Sequence, residues 1–284
     1  MSFPIFKIFM SIKDFLIDEL EITISDGTAI VVRRGWHSFL DCTPNDRDLP
    51  YYIAGQIPFF YRSPDKIADE FRQRSNALDL VVDLATKAPT NPKFQQSHCG
   101  EIIAALYLED ILGFRRLYSK LTLTTSENTN VHKMDGFFVD TGQSPYLYIA
   151  VEAKSSILPT ERSGFSGHRY GILNQMIKSL GKYSVIDKRF DLTVIRDNLE
   201  KFAFSIEEQS QIRKDLLPPG PSNLINIGMA TINKSTVSEK DNIYILCEPC
   251  TTLFNYRAIV VADLSELAKK SYGLVHKLKR AVSE

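Results

Sequence analysis

The stretch KMDGFFVDTGQSPYLYIAVEAKSS, residues 133–156, reads as two apolar strands joined by a turn. It nevertheless carries Asp135 on the first strand and Glu152 and Lys154 near the end of the second. Side chains alternate along a strand. Leu147, Ile149, Val151 and Ala153 therefore face one way, and Tyr148, Ala150, Glu152 and Lys154 the other. Both faces begin apolar, as in a central strand covered on both sides, and only one turns charged. With the turn centred between Gly142 and Gln143, Asp135 falls opposite Ala150. That makes it a diagonal neighbour of Glu152 on the same face, about 7–8 Å away at the backbone. A slip of one residue would send Asp135 to the other face.

Two carboxylates this close repel, and burying them is costly unless a cation joins them. Hard oxygen ligands suit Mg²⁺ or Mn²⁺, and such an ion can polarise a phosphodiester and lower the pKa of a bound water. Lys154 can orient that water or steady the developing charge. The plainer alternative is an exposed hairpin end carrying a Glu–Lys pair. A third acid lies upstream. Glu101 begins the helical run EIIAALYLEDILGF, and the positions at helical spacing from it are Ala105, Leu108 and Leu112, an apolar stripe. Glu101 thus heads the buried face. With Ser97 as the cap, the third capping-box position is Gly100 rather than Glu101. A first-turn Glu favouring the helix dipole is the alternative.

Working outward, residues 20–42 read as a hairpin turning at Asp26-Gly27. A helical pattern runs from Pro64 to Lys87 and stops before APTNPKF, a Pro/Asn-rich linker. A second helix, SHCGEIIAALYLEDILGF, precedes the hairpin of residues 133–156. A Gly/Ser-rich loop over 155–169 leads to the helix YGILNQMIKSLGKY. LINIGMATIN and YRAIVVADL read as strands, separated by a region that contains Pro218-Pro219-Gly220, and LSELAKKSYGLVHKLKRAV reads as a closing helix. From residue 97 this order implies an α/β core, a mixed sheet with helices on its faces. Residues 1–90 are expected to form an α+β region that docks a partner or covers the site, and residues 91–284 the core domain.

The 284 residues are 44% hydrophobic, enough for one large domain or a core with an appended module. Lys plus Arg and Asp plus Glu are 34 each, so the formal net charge is zero, whereas a free-standing nucleic-acid binder is usually basic. Contact with nucleic acid then needs a local patch or a partner. The apolar N-terminus is broken by Lys7, Lys13 and Asp14, unlike a signal peptide, and no run reaches the length of a membrane span. The expected location is the cytoplasm. Of Cys42, Cys99, Cys247 and Cys250, only the last two have metal-ligand spacing, and no second pair completes a zinc site. No phosphate-binding loop, nucleophile elbow or HExxH motif occurs, and no small-molecule cofactor is expected.

Helix Glu101, strand Asp135 and strand Glu152-Ala153-Lys154 together resemble the PD-(D/E)xK phosphodiesterase core of restriction-endonuclease-like enzymes. The resemblance spans residues 97 to 185. It implies that Asp135 and Glu152 hold Mg²⁺ or Mn²⁺, that Ala153 adds its backbone carbonyl, that Lys154 assists the attacking water, and that Glu101 joins the site. KMDGFFVD…YLYIAVEAKSS, with the upstream GEIIAALYL helix and the chain length, is similar to the HamA family of nuclease effectors in Hachiman anti-phage defence. That similarity implies metal-dependent cleavage of DNA with a HamB-like helicase as partner. Gln175 matches the Gln that many relatives carry after the ExK strand, although Ser179 stands where a Q-x-x-x-Y form would have Tyr; a solvated helix residue is the alternative.

Arg162, His168 and Arg169 lie among Ser and Gly in the loop after Lys154, where guanidinium groups suit phosphate contact. Lys269, Lys270, Lys277, Lys279 and Arg280 on the closing helix could track DNA, or simply form a solvated face. His132 reads as a strand-end polar residue. Two other functions compete with a DNase: a catalytically silent adaptor of the same fold that binds a helicase, and an RNase with the same chemistry. The inward charges of Glu101, Asp135, Glu152 and Lys154 argue against the adaptor. Nothing in the sequence separates DNA from RNA.

Overall fold

The computed structural model describes residues 12, 16–24, 32–39, 48–62, 72, 87–123, 134–157, 172, 175–176, 179, 185–202, 204–233 and 255–283. In chain order the elements are β1 (Leu16–Ile24), β2 (Val32–Phe39), α1 (Asp48–Tyr61), α2 (Pro92–Asp110), β3 (Arg115–Ser119), β4 (Gly136–Asp140), β5 (Leu147–Ser156), α3 (Val185–Asp197), α4 (Ile206–Asp215), β6 (Leu224–Asn233), β7 (Asn255–Val261) and α5 (Leu264–Ser283). The seven strands form one mixed sheet in the order β1-β2-β7-β6-β5-β4-β3. The pairs β2–β7, β7–β6 and β6–β5 are parallel, and the outer pairs are antiparallel. The expected α/β class, a mixed sheet flanked by helices, is the observed one.

The alternation along β5 sorts its side chains as the sequence predicts. Ile149, Val151 and Ala153 join a core with Ile102, Ile103 and Leu106 of α2, Ile53 and Phe60 of α1, and Leu264 and Ala268 of α5. Tyr148 and Ala150 join a second core with Leu192 and Ile195 of α3 and Ile212 of α4. Helices therefore cover both faces, and the central strands bury both sets of side chains. β2 carries the N-terminal hairpin onto β7, so elements before and after residue 90 share one sheet. β1 and β2 do pair as an antiparallel hairpin, but Ile24 lies opposite Val32 rather than opposite Ala29, the partner that a turn at Asp26-Gly27 would give. Its predicted turn, and nearly all of the predicted helix over 64–87, lie outside the described residues.

Two local expectations change. The β4–β5 register pairs Phe137 with Ala150 and Gly136 with Val151. The turn is thus centred one residue later than expected, and extending that register would set Asp135 across from Glu152 rather than diagonal to it. Parity is preserved, although Asp135, in the bend before β4, lines the cleft beside Glu101, Val151 and Ala153. Second, α2 starts well before Ser97. Asn91 is its N-cap, accepting the Lys93 N–H at 2.9 Å, with Pro92 following. Asn-Pro there is a helix start, since Pro at the first position loses no bond. Glu101 therefore sits in the middle of the helix, and the first-turn alternative does not apply.

Gly100 sets how closely α2 lies on the sheet. A Cβ there would meet Ser155 Cβ at 2.7 Å, and Thr231 of β6 donates its hydroxyl to the Gly100 carbonyl at 3.1 Å. Ala at a helix interior is favoured over Gly by about 1 kcal/mol, but the clash is with an atom next to the β5 backbone. Gly100→Ala should therefore destabilise the chain by about 1–2 kcal/mol net, read by urea unfolding. Unchanged or increased stability would mean that α2 lifts freely off β5.

Candidate active site

The sheet brings the acidic residues together where β4 begins. Asp135 occupies the bend just before β4 and is 8% exposed; Glu152, on β5, is 3% exposed. The Ala153 amide lies beyond the end of β4 and has no ladder partner there. Asp135 Oδ2 accepts it at 2.7 Å. Glu101 reaches the same end of the sheet from α2, and a small cleft is lined by Glu101, Ala105, Tyr118, Asp135, Phe138 and Ala153. Lys154 Nζ donates to Glu152 Oε1, and Ser179 hydrogen-bonds the Glu152 carboxylate.

A further residue, absent from the sequence-based set, lies at the centre. Lys120 Nζ donates to Asp135 Oδ1 and ion-pairs with Glu101 Oε1 at 3.0 Å. β3 ends at Ser119 and passes into a 3₁₀ turn, Lys120–Leu123. Thr122 Oγ1 donates to the Ser119 carbonyl at 2.7 Å, and this tight turn directs Lys120 inward. Its backbone N–H also donates to the Asp135 carbonyl, at 3.2 Å. No periodicity in YSKLTL marks Lys120 as buried; an isolated Lys after a short strand looks like a surface residue.

The family model for HamA matches residues 10–273, a span that contains every one of these side chains. The chain belongs to the HamA family. No curated protein matches it. Among solved structures it is similar to restriction endonuclease FokI bound to DNA, at 14% identity and a TM-score of 0.27, over 76% of this chain and 32% of the FokI chain. The chain thus spans about a third of that protein's length.

Whether the site of this HamA-family chain suits a divalent ion is a question of donors. Glu101, Asp135, Glu152 and the Ala153 carbonyl are hard oxygen ligands of the kind Mg²⁺ and Mn²⁺ prefer. Glu101 Oε2 is buried and has no hydrogen-bond partner, the kind of orphan that a cation satisfies. Among the described residues, however, no three acidic, His or Cys side chains are gathered tightly enough to hold a metal as they stand. The oxygens are turned onto Lys120 and Lys154 instead. The chemistry fits, and the present rotamers serve ammonium groups.

Gln175 is exposed on helical backbone one turn before Ser179, which hydrogen-bonds Glu152. Arg162, His168 and Arg169 lie outside the described residues, as do His132, Cys42, Cys247 and Cys250. Cys99 is a buried free thiol. Lys269 and Lys270 reach Glu266 at 3.9 and 3.8 Å on an exposed helix face. Among the described residues no helix is long and apolar enough to cross a membrane.

Burial is the largest influence on Glu101. It pushes the carboxyl up from 4.5 to about 7, with Asp135 adding to the rise and Lys120 opposing it. Burial and Asp135 likewise raise Glu152 against the pull of Lys154 and Ser179. For Lys120, burial acts to lower the pKa, but Glu101 and Asp135 outweigh it and hold the group above the usual lysine range. The folded chain therefore holds the Glu101 proton more tightly than the unfolded chain does. The resulting stability is fully present below about 4.5 and is lost as pH rises to about 7. In EDTA, urea stability should fall across that window, and Glu101→Gln should flatten the fall. Equal slopes for the two proteins would show that Glu101 titrates as an exposed acid.

Proposed function

We propose that this chain is a metal-dependent deoxyribonuclease of the PD-(D/E)xK type, a defence effector that acts in the cytoplasm with a HamB-like helicase. The observation that carries the reading is the convergence of Glu101, Asp135, Glu152 and Lys154 at one end of a mixed sheet, with one buried Glu101 oxygen left open. Membership of the HamA family supports a nuclease-type effector of anti-phage defence.

Asp135, Glu152, Glu101 and the Ala153 carbonyl would hold Mg²⁺ or Mn²⁺. When bound, the ion supplies Lewis acidity toward the phosphodiester and acidifies its water. Asp135 also acts on the backbone, because its bond to the Ala153 amide fixes β5 at the residue whose carbonyl joins the ligands. Lys154 is partly exposed and sits beside Glu152. From there its ammonium orients the attacking water and meets the charge that grows on the phosphate oxygens. Burial by the α2 and α3 layers keeps bulk water from screening these interactions. A chain of zero net charge does not concentrate DNA by long-range attraction, which leaves delivery of the DNA to the helicase partner. A catalytic readout separates this reading from the silent adaptor.

Cleavage of plasmid and linear duplex DNA, with Mg²⁺ or EDTA, alone and with the neighbouring helicase, tests the reading. Lys154→Ala and Glu152→Gln should each lower the cleavage rate by about 100-fold or more, with circular dichroism unchanged. Cutting of RNA but not DNA would move the substrate. No cutting of either, in any mixture, would leave the adaptor.

A further inference from the structure

The nuclease reading assigns Lys120 no role, yet among the described residues of the site Lys120 makes more bonds than Lys154. Its ammonium lies between Asp135 Oδ1 and Glu101 Oε1, and its backbone N–H is tied to the Asp135 carbonyl. Asp135 Oδ2 is already committed to the Ala153 amide. A divalent ion bridging Glu101 and Asp135 must come to the oxygens that Lys120 now holds. Two cations cannot share that position, because buried like charges at contact distance repel strongly. The ammonium also leaves the site incompletely satisfied, since Glu101 Oε2 remains without a partner. A metal with several open coordination positions can take up both oxygens. Lys120 has a way out: its side chain is 16% exposed, and its stem is long and flexible.

We propose that Lys120 is a resident cation that occupies the metal's place between Glu101 and Asp135 in the metal-free chain, and that a divalent ion binds there by displacing it. The proposal rests on the metal-dependent nuclease reading. It gives the resting chain a device that holds α2 against the start of β4 without metal, and it raises the metal concentration at which the site fills. Lys120 is then a positioning residue that competes with the cofactor.

The test is calorimetric titration of the full chain with Mn²⁺ in the absence of DNA, comparing wild type with Lys120→Met, Lys120→Gln and the charge-retaining Lys120→Arg. The Met and Gln variants should bind Mn²⁺ about tenfold more tightly, and Mn²⁺ should raise their melting temperatures more than that of wild type. The Arg variant should not gain affinity. Wild-type binding with no gain in the Met and Gln variants overturns the proposal and leaves the nuclease reading intact. No Mn²⁺ binding by any of the proteins overturns both. Should the two neutral variants unfold in EDTA, refolding on addition of Mn²⁺ supports displacement. Failure to fold in either condition makes Lys120 purely structural and overturns the proposal.

Discussion

Asp135 engages both carboxylate oxygens and its backbone carbonyl at the point where β4 begins. One carboxylate oxygen takes the Ala153 amide, the other takes Lys120, and the carbonyl takes the Lys120 N–H. The first bond prolongs the β4–β5 contact by one rung beyond Gly136↔Val151. The other two fix the turn after β3. Through Lys120 the same carboxylate reaches Glu101, so one side chain links β3, β5 and α2. Removing this acceptor leaves the buried Ala153 amide unpaired, at a cost of about 1–3 kcal/mol, and leaves the Lys120 ammonium to Glu101 alone. The sheet end and the site are held by the same few bonds.

The packing of α2 explains why Glu101 is so strongly perturbed. Gly100 lets the helix backbone come against Ser155 and Thr231, which carries the next residue into the cleft. Because the helix begins at Pro92, Glu101 is more than two turns from the N-terminus and gains little from its dipole. Desolvation is therefore opposed chiefly by Lys120, and burial wins. Had the helix begun at Ser97, the same residue would have been a stabilised first-turn acid.

Legibility follows the strength of the local signal. The β4–β5 hairpin, β6, β7 and α5 have long periodic patterns, and each is found where the pattern puts it. Parity survives a misplaced turn centre because the strand period is two. Asn91-Pro92 has the composition of a linker, although it is a cap followed by a good first residue. α4 carries a complete capping box, with Ser205 and Glu208 bonded reciprocally at 3.2 and 2.8 Å. That signature is easily passed over because the apolar content of the helix is slight and only Ile212 is buried. β3 is five residues long with two arginines, too short to show alternation. The acids of the site are legible because acids on apolar faces are anomalous. Lys120 is not, since its burial is decided by Asp135 and Glu101, residues distant in sequence that only the fold brings to it.

The sign of the charge at the site constrains what the chain can do. Glu101, Asp135 and Glu152 outnumber Lys120 and Lys154 by one, so the ionised site is negative and repels a phosphodiester. The rise of Glu101 to about 7 relieves part of that excess, but a proton does not attract a phosphate. A chain with no net charge has no surplus of basic surface to outweigh a local repulsion over more than a Debye length, about 8–10 Å. On the proposed reading, the site would attract DNA only once its charge is inverted. A divalent ion does that if the carboxylates exchange their ammonium for it and the released lysine stays near the mouth of the cleft. On that reading, metal entry and substrate affinity would be coupled through the same oxygens, and a nuclease built this way would be folded and inert until both arrive.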